Sequence, residues 1–303
     1  MSTERKVAIV TGASQGIGAG ILQAFRDRNY RVVATSRSIK PIADSDVVTV
    51  QGDIGAADTA ERVFKAAFER FGRVDTLVNN AGMFMAKPFT VYSQDDYATY
   101  MSTNVTGFFH MTQRALELMS KQGHGHVVTI TTSLVDQPMS SVPAVLASLT
   151  KGALSAATRA LAIEYAKTGV RINAVSPGII KTPMHPPEAH QALAALHPMG
   201  RMGEVSDVVD AVLYLDGAGF VTGRFFTSTE DKLLATIWCR ALSASADKSS
   251  KMRGIEEIEK VQQEQLKSGS FQAEDPLPTT LSGCSSRRFG CESPQPPIPT
   301  LPL

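Results

Sequence analysis

The residues best equipped for chemistry come early, in Thr11-Gly12-Ala13-Ser14-Gln15-Gly16-Ile17-Gly18, directly behind the apolar run Val7-Ala8-Ile9-Val10. That run reads as a buried strand, and beyond Gly18 the residues Ile21, Leu22 and Phe25 recur at helical spacing. Strand, tight turn and helix follow one another without a gap. Gly12, Gly16 and Gly18 let the backbone approach a ligand closely, with Ser14, Gln15 and Ile17 between them. The helix start carries unpaired N–H groups and a partial positive charge, a seat for a pyrophosphate. Taken alone, such a turn also serves simply to pack a helix against a strand.

A phosphate turn needs a sheet to hold it, and the chain supplies one. Residues 31–36, 47–50, 74–78, 126–130 and 170–175 read as further buried strands. Between them Ala60, Val63, Phe64, Ala67 and Phe68 fall at helical spacing, and longer helical patterns cover 95–120 and 144–166. Near-continuous apolar strands alternating with helices predict an α/β fold, a doubly wound and mostly parallel sheet. In such sheets ligands gather beyond the carboxyl ends of the strands. Thr11, Arg37, Asp53, Asn80, Ser133 and Pro177 are all expected there. Arg37 follows the strand end where dinucleotide folds read the adenosine ribose. A carboxylate at that end would hold a 2′-hydroxyl and repel a 2′-phosphate. Here Ser36 is neutral and an arginine follows it, which favours NADP(H), with NAD(H) as the alternative. A solvated surface arginine is the plainer reading of the same residue.

Composition narrows the function classes. The chain has 303 residues and a formal net charge of +1, so no global field draws it to nucleic acid or an anionic membrane. No apolar run is long enough to span a bilayer, and the N-terminal stretch does not read as a secretory signal. The three cysteines, Cys239, Cys284 and Cys291, match no metal pattern. A cytoplasmic protein acting on a small molecule is expected, with no metal.

From about Lys6 to Gly223 the chain resembles the short-chain dehydrogenase/reductase family. The motifs that carry the resemblance are Thr-Gly-x-x-x-Gly-x-Gly at Thr11 to Gly18, Asn-Asn-Ala-Gly at Asn79 to Gly82, Asn104, Ser133, Lys151 and Pro177-Gly178. The resemblance implies a Rossmann fold and an NAD(P)-dependent carbonyl–alcohol oxidoreductase. It places Asp53 and Ile54 beside the adenine and Asn80, Ala81 and Gly82 beneath the ribose. Lys151 would hold the nicotinamide ribose, while Ile180 and Thr182, past Pro177 and Gly178, would meet the carboxamide. Ser133, Lys151 and Asn104 would form the catalytic set, and the family would suggest a homo-oligomer.

That set is incomplete. The family's proton donor is a tyrosine four residues before the lysine, and here that position is Ala147. No tyrosine in the chain is followed four residues later by lysine. Three readings follow: a proton that comes from water, Lys151 or the substrate; a nucleotide-binding protein without chemistry; or another residue supplied by the loop after Pro183. Met83, Phe84, Met85, Leu134, Val135, Pro138, Met139 and Met184 flank the expected substrate cleft and predict an apolar substrate. His185, His190 and His197 fall in the segment expected to cover it, with no carboxylate or cysteine at metal-ligand spacing. His124 and His126 flank a turn glycine and are expected to be solvated.

The end of the chain departs from the family. After Gly219-Phe220-Val221-Thr222-Gly223 a relative would continue Glu-Ile-Leu-His-Val-Asp-Gly-Gly, whereas this chain reads Arg224-Phe225-Phe226-Thr227-Ser228. One permitted set of codons for Gly223 to Leu234, read in a shifted frame, yields the whole family ending. The loss of one base near codon 223 is therefore expected, and the coding DNA tests it; a genuine fused tail is the alternative. Residues 1–228 are expected to form one Rossmann-type domain. Residues 229–303, rich in Ser, Lys, Glu, Gln and Pro, are expected to form a low-order tail. Residues 224–228 could still pair as a last strand, and the altered ending puts homo-oligomer formation in doubt.

Overall fold

A computed structural model describes residues 5–197 and 199–228. Its centre is a seven-stranded sheet in the order β3-β2-β1-β4-β5-β6-β7 with every pairing parallel. The strands are β1 (Val7–Thr11), β2 (Arg31–Ser36), β3 (Val47–Gln51), β4 (Thr76–Asn79), β5 (Gly125–Ile130), β6 (Val170–Pro177) and β7 (Phe225–Ser228). Parallel neighbours need crossovers, and helices α1 (Gly16–Asp27), α2 (Ala57–Phe71), α4 (Gly107–Gln122) and α5 (Val145–Glu164) supply them. A short α3 (Gln94–Tyr100) runs toward α4, α6 (His190–Ala194) lies after β6, and α7 (Val205–Gly217) precedes β7.

Helices cover both faces of the sheet, which is why the strands are apolar on both sides. On one face Ile21, Leu22 and Phe25 of α1 share a core with Val208, Ala211, Val212 and Leu215 of α7 and with Val10, Val78 and Val128 of the sheet. On the other, Val63, Phe64 and Ala67 of α2 and Met111, Ala115 and Met119 of α4 pack on Ile9, Val33, Leu77 and Val127. The strand order reverses between β1 and β4, where β1 has β2 on one side and β4 on the other. The crevice beyond those two strand ends is the place for a ligand.

Two local outcomes differ from the sequence reading. The helical pattern over 95–120 is interrupted: between α3 and α4 the backbone widens into a π-helical turn at Met101–Thr106 that carries Asn104. His126 is not solvated. It is 2 % exposed on β5, and its Nε2 accepts from Asn173 Nδ2 at 3.1 Å. Beside it the buried Asp216 accepts from Tyr30 Oη and Thr76 Oγ1, both at 2.6 Å. The sequence pattern missed this because His126 occupies an inward position of a strand whose partners arrive from distant segments. His124 is half-exposed, with Nε2 3.1 Å from Asp75 Oδ1. The tentative last strand does form: Phe225–Ser228 pairs with Ala174–Pro177 of β6. Arg159 stacks over the Phe225 ring at 4.4 Å and Phe226 packs on Tyr214 at 5.6 Å. The tail expected over 229–303 lies outside the described residues.

Candidate active site

The loops beyond the carboxyl ends of the strands enclose a cavity of about 940 Å³. Its floor is the glycine turn after β1. Thr11 ties this turn to the turn after β4, because its Oγ1 accepts from Asn80 N at 3.0 Å and Ala81 N at 2.9 Å. Asn80 Nδ2 in turn donates to Thr11 O at 2.9 Å. A Cβ on Gly18 would lie 2.3 Å from Gly12 O, so this crossing of backbone over backbone demands glycine. The N-terminus of α1 opens onto the cavity, and its N-cap Gln15 makes no side-chain cap bond. Several N–H groups there are left for an anion. Gly12, Ser14, Gln15, Gly16, Ile17 and Gly18 all line the cavity. Gly16 lies across from the loop after β6, where its Cβ would meet Thr182 Cβ at 3.4 Å.

At one end stand Arg37, Asp53 and Ile54. Asp53 Oδ1 accepts from Gly55 N at 2.9 Å, which shapes the turn after β3. Arg37 is exposed, and among the described residues its guanidinium has no hydrogen-bond or ion-pair partner. Asn80, Ala81 and Gly82 form the middle wall.

At the other end are Ser133, Ala147 and Lys151. Ser133 sits in a 3-10 turn beyond β5, and Ala147 and Lys151 project one turn apart from the same side of α5. Lys151 is 8 % exposed and donates to Ile130 O at 2.7 Å. Burial pulls its ammonium down to a pKa of about 8. Such a cation has unspent donors and, among the described residues, no carboxylate beside it; the ribose hydroxyls of a dinucleotide fit that need. Asn104 stands behind the wall: its Oδ1 accepts from Met83 N at 2.9 Å and its Nδ2 donates to Thr150 Oγ1 at 3.0 Å. A Cβ on Gly82 would come within 3.0 Å of Lys151 Nζ and 3.2 Å of Asn104 Oδ1, so the three pack as one unit. Pro177, Gly178, Ile180 and Thr182 close the roof, held by a bridge from Ile180 to Gly203.

The structure thus gathers every residue singled out for cofactor binding around one cavity, with Ser133 and Lys151, and places Asn104 just outside it. Met83, Phe84, Leu134, Pro138, Met139 and Met184 line the substrate end as well. Met85 packs instead against the core around Tyr100 and Ala147, and Val135 also lies off the lining. Tyr100 does not replace the missing phenol. It is fully buried, and its hydroxyl accepts from Met85 N at 2.6 Å and donates to Met85 O at 3.1 Å. The sequence reading missed the link between Thr150 and Asn104, because the widened turn that aims Asn104 has no sequence periodicity of its own.

A family model described as enoyl-(acyl carrier protein) reductase matches residues 12–228. The chain is 33% identical over 236 residues to 3beta-hydroxysteroid dehydrogenase 1 of Eggerthella lenta, covering 72% of this chain and 90% of that one. Among solved structures, a tyrosine-to-phenylalanine variant of ElxO with NADPH bound is similar at 27% identity and a TM-score of 0.70, over 74% of this chain and 97% of that one. So is the 3-ketoacyl-(acyl-carrier-protein) reductase of Brucella melitensis complexed with NADH, at 26% identity and a TM-score of 0.69, over 75% and 97%. With the turn, the parallel sheet and the Ser133–Lys151 end of the cavity in place, these likenesses have one meaning: the chain belongs to the short-chain dehydrogenase/reductase family of oxidoreductases.

Proposed function

We propose that this chain is an NADP(H)-preferring oxidoreductase that interconverts a carbonyl and an alcohol on a small apolar substrate. The observation that carries the reading is Lys151, a buried cation with one carbonyl partner, standing where a nicotinamide ribose would offer its hydroxyls. A bound nicotinamide would supply or accept the hydride. The uncapped N-terminus of α1 and the glycine floor seat the pyrophosphate, and Arg37 pairs with a 2′-phosphate. Ser133 holds the substrate oxygen, Lys151 fixes the ribose, and Asn104 keeps the wall under Lys151 in place. The methionines, Phe84 and Leu134 exclude water from the reacting end and favour an apolar substrate, in keeping with the hydroxysteroid named for one relative.

Calorimetric titration with NADPH and then NADH tests the reading. NADPH is expected to bind more tightly, and Arg37→Ala to weaken it about 10- to 100-fold while leaving NADH unchanged. Equal affinities, or an Arg37→Ala protein that binds NADPH normally, would remove the preference. Absence of binding to either nucleotide would remove the function.

Ala147 favours a second reading, a dinucleotide-binding protein without catalysis. The NADPH-bound ElxO variant supports the separation of binding from tyrosine chemistry, since a tyrosine has been replaced there and the nucleotide is present. NADPH binding with no turnover across a carbonyl panel, together with activity created by Ala147→Tyr, would select this second reading.

A further inference from the structure

Five ionisable residues line the cavity: Arg37, Asp53, Lys151, His185 and His197. A reaction that moves a substrate's oxygen-bound proton needs a group that can take it near neutral pH. Arg37 is a permanent cation. Asp53 stands at the opposite end of the cavity from Ser133, committed to the Gly55 turn. Lys151 remains largely an ammonium at pH 7, with a pKa of about 8. His197 Nε2 accepts from Ile179 N at 3.2 Å, so its lone pair is spent.

His185 differs. Its Nδ1 lies 3.0 Å from Ile180 O, and a carbonyl can only accept, so the ring proton sits on Nδ1 and the lone pair on Nε2. Nε2 has no partner among the described residues. The ring is braced by a turn, His185 N donating to Thr182 O at 3.0 Å, and by His190 Nε2 donating to His185 O at 3.0 Å. Its anchor Ile180 is a roof residue of the cavity, which Met184, Leu193 and Leu196 also line. Burial, and to a lesser extent the neighbouring His190, hold the imidazole below its ordinary pKa against the Ile180 carbonyl, which favours the charged form. Arg37, His197 and Lys151 are the other basic groups that line the cavity among the described residues.

We infer that His185 Nε2 is the proton acceptor for alcohol oxidation in this site, and its imidazolium the donor for carbonyl reduction. In the oxidative direction the hydroxyl proton passes to Nε2 and the carbinol hydride to an oxidised nicotinamide dinucleotide. The O–H and C–H bonds break, C=O forms, the alcohol is oxidised and the dinucleotide reduced. The inference rests on the oxidoreductase reading above, and gives Ala147 a reason to be tolerated.

The test uses the full chain saturated with NADP⁺, with cyclohexanol as the probe. In ¹⁵N-histidine spectra assigned through His185→Gln, the ring is expected to be Nδ1-protonated at pH 7 and to titrate below 6.5. Saturating cyclohexanol is expected to lower that pKa further, because protonation must break the O–H to Nε2 hydrogen bond. His185→Gln is expected to bind NADP⁺ as the wild type does, to lower kcat about 10²- to 10⁴-fold, and to lose the acidic limb of kcat/KM. An Nε2-protonated ring, a titration that cyclohexanol leaves unmoved, or a His185→Gln rate within about threefold of wild type would overturn it. NADP⁺ binding with those outcomes defeats this inference alone; failure to bind NADP⁺ defeats the oxidoreductase reading itself.

Discussion

Burying the Lys151 ammonium with no counter-charge among the described residues costs the ligand-free protein stability. Its folded pKa of about 8 lies below its ordinary 10.5, so between those values the unfolded chain binds more protons than the folded one. Stability therefore rises with pH through that window, and the penalty is fully present below it. Comparison with Lys151→Met isolates the effect from other titrating groups. From pH 8 to about 9.5 the wild type is expected to gain about 1–2 kcal/mol relative to the variant, measured by urea unfolding without nucleotide. A constant difference would mean that the lysine is solvated. At this scale the sequence was enough to bring Gly12, Gly18 and Lys151 to one cavity, because their residue types already point there. It set His185 in the covering segment but did not separate it from His190 and His197, since its distinction lies in which ring nitrogen meets Ile180 O.

Between residue and molecule, the π-helical turn at Met101–Thr106 does the aiming. A regular helix through residues 94–122 would present its side chains at an even 100° step; one widened turn breaks the step and turns Asn104 inward to meet Met83 N and Thr150 Oγ1. Asn104→Ala would remove the acceptor of the part-buried Met83 N–H and the amide that donates to the buried Thr150 hydroxyl, which keeps its bond to Leu146 O. A loss of about 1–3 kcal/mol is expected in urea unfolding, with weaker NADPH binding because the wall under Lys151 and Gly82 loosens. An unchanged unfolding midpoint would show that water replaces the amide at no cost. The strands and most helices were legible because apolar runs and helical spacing report burial directly. The widened turn was not, since it is imposed by contacts with segments far along the chain.

Across the whole molecule the strands have two different ends. Their carboxyl ends hold the cavity; near their amino ends Tyr30, Thr76, His126, Asn173 and Asp216 join β4, β5 and β6 to α7 and the start of β2. Arg171 completes the clasp by donating to Leu215 O at 2.7 Å and Asp216 O at 2.9 Å. Burial draws the His126 imidazole down to a pKa of about 4. Burial also pushes the Asp216 carboxyl up, but the His126 ring 3.5 Å away and the hydrogen bonds from Thr76 and Tyr30 outweigh it and hold that carboxyl below its usual range. A histidine depressed in the folded state loses stability for the protein as pH falls from 6.5 toward 4; the Asp216 contribution persists until still lower pH. Asp216→Ala leaves the Tyr30 and Thr76 hydroxyls without their acceptor and is expected to cost about 1–3 kcal/mol for each at pH 7. His126→Gln is expected to flatten the pH 4–6.5 decline, both measured by thermal or urea unfolding. A decline of the same steepness in His126→Gln would place its cause elsewhere.

That separation of the two ends has a consequence for descent. The loop that leads into α5 and Ala147, and the loop that carries Met184 and His185, can be rewritten by mutation while the clasp at the far end keeps the sheet assembled. Lineages built this way can wander between substrates, or lose turnover and regain it, while the protein itself goes on surviving in the cell. In a mutant library, variation confined to those loops is the place to look for new activities; the same number of changes around Asp216 will mostly yield chains that no longer accumulate.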